Sequence, residues 1–171
     1  MTVSCVRHKA GFTLLELVVV MALISLIFSV TLPRFNTALF SGGTKRIVRT
    51  IILKIKALKE DSRIHQRTYT LHVDMDGNSL WASHDLMSEE ELKKEQENAL
   101  RLPANLTFLD VEYPGRDIVT RGEALVGFYG RGYSDFAIIH LRENDDENYS
   151  FFIEPFLSRL RLIEGYFRFE S

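Results

Sequence analysis

Hydrophobic and polar positions divide the chain into three regimes. From Phe12 to Leu32 the sequence is apolar, with Glu16 as its single charge. At about 1.5 Å per residue a helix of that length spans a hydrocarbon core of roughly 30 Å. From Thr44 to about residue 66 the period becomes that of an amphipathic helix. Ile47, Val48, Ile51, Ile52, Ile55 and Leu58 share one face, and Lys45, Arg49, Lys56 and Arg63 fall opposite. Thr44 is the expected N-cap. Pro33 predicts a kink between the two helices, and Gly42-Gly43 a second weak point.

Beyond residue 67 alternation takes over. Thr68 to Val73 and Ser79 to Ala82 flank Asp76-Gly77, which predicts a hairpin. Residues 85–99 lack a strong apolar face. They predict an exposed loop or a short helix opened by a capping box, Ser88 with Glu91. Strands are expected at 106–113, 123–129, 135–142, 149–154 and 158–164, then Tyr166 to Phe169. Turns fall at Pro114-Gly115, Gly130 to Gly132 and Glu143 to Asn148. Glu143, Asp145, Asp146 and Glu147 read as a solvated hairpin tip. The expected fold class is therefore α+β: a long N-terminal helix packed on an antiparallel sheet or sandwich.

The remaining chemistry narrows the function. Formal net charge is -2 over 171 residues, which gives no global pull toward nucleic acid. Arg7 and Lys9 precede the apolar run, so the positive-inside rule places the N-terminus in the cytoplasm and residues 34–171 across the membrane. No small-residue cleavage pattern follows the run, so it is expected to stay in the protein. The single cysteine, Cys5, precedes it. His8, His65, His72, His84 and His140 show no ligand spacing, and no metal site or cofactor is expected. Asp74, Asp76 and Asn78 resemble only the start of a calcium loop, and turn chemistry explains them more simply. No nucleophile elbow and no phosphate loop is present, so the chain does not read as an enzyme.

Glu16 is the anomaly, because a carboxylate in an apolar run costs several kcal/mol unless it serves something. On topology alone a plain signal anchor, with Glu16 reaching the membrane surface, is an equal reading. The local sequence favours another. Gly11-Phe12-Thr13-Leu14-Leu15-Glu16 resembles the type IV prepilin signal, in which a basic leader ends in Gly and Glu is the fifth residue of an apolar helix. Pro33, twenty-second from Phe12, matches a kink position of that family. The resemblance implies cleavage between Gly11 and Phe12 by prepilin peptidase, N-methylation of Phe12, and pairing of Glu16 with a neighbouring subunit's N-terminus. It implies a leader at 1–11, a transmembrane and assembly helix at 12–33, its amphipathic continuation at 34–66 and a periplasmic head at 67–171.

Further along, Leu102-Pro103, then Val126-Gly127-Phe128-Tyr129-Gly130-Arg131-Gly132-Tyr133-Ser134, then two strands joined by a polar turn resemble the H-type minor pseudopilins of type II secretion. The related minor type IV pilins share that head, and their adhesive or DNA-uptake roles are the alternative. The chain departs from these relatives at Phe156-Leu157-Ser158, where they often have Gly. Partners implied are other pilins or pseudopilins, the inner-membrane assembly platform and the lipid bilayer. Nucleic acid is not expected, since no aromatic-basic interleaving marks a groove.

Overall fold

The computed structural model describes residues 14–31, 42–144, 147–156 and 160–169. The chain forms two compact units, residues 1–40 and 41–171. In the first, α1 spans Leu14–Thr31. The second holds α2 (Gly42–His65), α3 (Glu89–Glu97) and two antiparallel sheets. The described fold is thus α+β, with an N-terminal helix and a C-terminal β-rich body.

Helix α2 packs on β1 (Tyr69–Asp74) and β5 (Glu123–Tyr129). Its buried residues are Thr44, Val48, Ile51, Ile55, Leu58 and Ser62. That alternation of threes and fours keeps one stripe on a 3.6-residue helix. Ile47 and Ile52, expected in the stripe, lie at its margins and are half-buried. Opposite the stripe, Leu71, Val73, Ala124, Val126 and Phe128 are buried on one face of the two strands. Gly42-Gly43 lies within α2, and Thr44 is a helical residue, not the N-cap. A buried contact explains the difference: the Thr44 hydroxyl donates to Glu143, 99 residues away.

The first sheet runs β3-β2-β1-β5-β6, with β2 at Ser79–His84, β3 at Leu100–Arg101 and β6 at Tyr133–Ser134. The second runs β4-β7-β8-β9, with β4 at Leu106–Glu112, β7 at Ala137–Glu143, β8 at Glu147–Ile153 and β9 at Arg161–Glu164. Helix α3 carries the expected capping box, with Ser88 and Glu91 exchanging side-chain to backbone bonds. The β1–β2 turn is held by its own side chains. Asp74 accepts from the Gly77 amide at 2.9 Å and Asp76 from the Gly122 amide at 3.1 Å. Asn78 sits at φ 46°. Its side-chain amide donates to the Leu106 carbonyl and accepts from the Phe108 amide, standing in for a strand along the outer edge of β4.

The second sheet is buried on both faces. Val111, Ile139 and Phe151 pair in one row and are fully buried. The adjacent row, Asp110, His140 and Ser150, is polar and also buried. What covers it is the C-terminal segment 165–169, expected as strand, which has no regular secondary structure. His140 Nδ1 lies 2.6 Å from Asp110 Oδ1 and its Nε2 lies 2.7 Å from the Phe167 carbonyl. The Tyr166 hydroxyl donates to Asp110 Oδ2 at 3.0 Å, and its ring stacks on His140 at 4.1 Å. Ser150 donates to the Gly165 carbonyl and accepts from the Phe167 amide. Burial, then the neighbouring Asp110 carboxylate, pushes the Tyr166 phenol up to about 12. These side chains hold an irregular strap that a regular strand ladder would otherwise hold.

Candidate functional site: the N-terminal helix and its single carboxylate

Glu16 lies in the first turn of α1. A helix N-terminus carries roughly half a positive charge, so a carboxylate there is favourably placed. Glu16 is the only charged residue of this helix, whose sequence is otherwise apolar except for Ser25, Ser29 and Thr31. Each side chain from Leu14 to Ile24 is exposed in the single chain, Leu14 at 83% and Leu15 at 75%. A helix apolar all round is stable in water only when something encloses it, whether bilayer or other helices. At about 1.5 Å per residue the 18 described residues reach about 27 Å, and among the described residues no helix is long and apolar enough to cross a membrane. Gly11, Phe12 and Pro33 lie outside the described residues.

A second constellation lies where the β7–β8 hairpin meets the start of α2. Glu143, expected in a solvated tip, is 4% exposed. Thr44 donates to its Oε1, Asn105 donates to Thr44 at 3.1 Å, and Tyr149 donates to Glu143 Oε2 at 3.3 Å and Glu147 Oε2 at 2.7 Å. These donors offset the cost of burying a carboxylate. Desolvation, then the Glu147 bond, raises the Tyr149 phenol. Asp145 and Asp146 lie outside the described residues. Sequence spacing gave no hint of this centre, because its donors come from three distant segments.

The Gly127–Ser134 run forms the tight β5–β6 turn. Asp135 accepts from the Gly127 amide at 2.7 Å and from the Tyr129 hydroxyl at 3.1 Å. A Cβ on Gly130 would lie 2.7 Å from the Gln66 carbonyl carbon, so the turn presses its bare backbone onto the α2–β1 junction. Leu157 and Ser158 of the departing segment lie outside the described residues, and Phe156 is exposed. Among the described residues no group of three His, Cys, Asp or Glu side chains has metal-holding geometry. His72 stacks on Trp81 at 3.7 Å and meets Ser83 at 2.8 Å, while His140 serves the C-terminal strap.

The described chain thus has an apolar helix with one carboxylate in its first turn, followed in sequence by an α+β body. Residues 6–32 match the family described as the prokaryotic N-terminal methylation motif. That segment is a type IV prepilin-like sequence, and Glu16 lies within it. Among curated proteins none matches this chain. Among solved structures the chain is similar to the minor pseudopilin EpsH from the type 2 secretion system of Vibrio cholerae. The identity is 14%, the match covers 72% of this chain and 97% of that one, and the TM-score is 0.49.

Proposed function

We propose that this protein is a minor pseudopilin, a structural subunit of a periplasmic pseudopilus that drives protein export by type II secretion. The observation that carries the reading is the prepilin-like segment itself. In this reading residues 1–11 are removed by prepilin peptidase between Gly11 and Phe12, and the Phe12 amine is methylated. Residues 12–33 form the membrane and assembly helix, kinked at Pro33. Residues 34–66 continue it, and residues 67–171 form a periplasmic head on a single-pass inner-membrane anchor. The protein is a substrate and a building block, not a catalyst.

Chemistry gives the processing its purpose. Cleavage creates a cationic amine at the membrane surface, and pairing it with Glu16 of an adjacent subunit lowers the cost of burying either charge. That pairing also sets an axial register that apolar helix packing alone specifies weakly.

The pseudopilus is favoured over a surface pilus by the sequence order of the head, from Leu102-Pro103 through the β5–β6 turn to the β7–β8 hairpin. Genetics separates the two. Deleting the gene is expected to abolish export of proteins across the outer membrane while leaving surface pili in place. Lost piliation with normal export would assign the chain to the minor type IV pilins instead.

A further inference from the structure

Charge is segregated within the second unit. Helix α2 carries seven Lys and Arg against Glu60 and Asp61, a formal net of +5, whereas residues 66–171 carry eleven against twenty acidic residues, a net of -9. Between Lys45 and Lys59 there is no acidic residue at all. The buried stripe fixes which of these cations face outward. Lys45, Arg46, Arg49 and Lys56 are exposed, and at 100° per residue they fall within about a third of the helix circumference. None of the four forms an ion pair among the described residues; the Arg63–Glu60 pair lies farther along the helix. Leu53, 54% exposed, sits among them. Folding the core therefore needs this helix's other face, and leaves a basic strip with an apolar centre unused.

We propose that this strip docks on the anionic phosphates of the bilayer that anchors the chain. The inference rests on the membrane-anchor reading of α1. Only residues 32–41 separate α1 from α2, and ten residues span at most about 35 Å. The strip is thus tethered near the surface, where even a weak contact is populated by effective concentration. Each Lys or Arg at an anionic surface contributes about 1 kcal/mol, or about fivefold in the docked population. The acidic remainder supplies orientation. An anionic surface attracts the α2 side and repels the rest within a Debye length of about 8–10 Å. Docking would hold the subunit at the membrane before assembly draws it away.

The test uses the full chain with Cys5→Ser and Thr50→Cys, labelled at position 50 with an environment-sensitive fluorophore. The protein is reconstituted in phosphatidylcholine vesicles with or without phosphatidylglycerol, and quenching by neutral acrylamide is read. Thr50 is exposed beside the strip. Phosphatidylglycerol is expected to blue-shift the emission and reduce quenching. High salt should reverse both, and so should the combined Lys45→Gln, Arg46→Gln, Arg49→Gln and Lys56→Gln substitutions. Equal quenching in the two vesicle types would overturn the inference. Protection that appears without anionic lipid and grows with protein-to-lipid ratio would also overturn it, giving the strip to a second copy. Co-flotation with phosphatidylcholine vesicles reports the anchor separately. A chain that fails to float takes down the anchor and this inference together, while one that floats with charge-independent quenching takes down this inference alone.

Discussion

Glu16→Ala is expected to leave cleavage and membrane residence intact and to reduce recruitment into the filament by at least about tenfold. The magnitude follows from the pairing. Removing one partner of a buried ion pair costs about 3–5 kcal/mol, and tenfold in an equilibrium needs only about 1.4 kcal/mol. Glu16→Asp, with a shorter reach, should fall between. Cross-linking of the subunit to its neighbours, beside immunoblots of the processed form, separates assembly from processing. Wild-type incorporation of Glu16→Ala would remove the proposed role. A variant that remains unprocessed would place Glu16 in peptidase recognition instead.

The second large effect concerns the C-terminal strap. His140→Leu is expected to destabilise the unit of residues 41–171 by about 3–5 kcal/mol, because it strands the buried Asp110 carboxylate with Tyr166 as its remaining described partner. With a urea slope near 2 kcal/mol/M, the unfolding midpoint should drop by roughly 2 M. The single tryptophan, Trp81, reports the transition. The double variant Asp110→Leu with His140→Leu should recover more than half of the loss, since removing both partners leaves no unpaired charge. A single variant within about 0.5 kcal/mol of wild type would show that the strap contributes little.

The parts of the fold carried by local pattern were legible in the sequence. β5 lies at the expected 123–129, the 69–84 hairpin closes on its Asp-Gly turn, and α3 begins at its capping box. What escaped is whatever depends on partners far along the chain. Thr44 reads as a cap because Thr before an apolar run commonly is one; its actual partner, Glu143, is 99 residues away. Glu143 reads as solvated because four acids in six residues usually are; Thr44, Asn105 and Tyr149 help make its burial tolerable. His140 reads only as a histidine without ligand spacing inside the strand expected at 135–142. Nothing local announces that residues 165–169 fold back over that face. The N-terminal segment is the opposite case. Its information is in the order Gly11, Phe12, Glu16, and the described helix adds the position of Glu16 in the first turn.

The central claim is that Gly11-Phe12 is a processing site whose product is an amine for Glu16 to pair with. Intact mass and N-terminal sequencing of the membrane-extracted protein test it most directly. The account predicts a chain that has lost residues 1–11 and carries one methyl group on the amine of Phe12. A chain that retains residues 1–11 would contradict it.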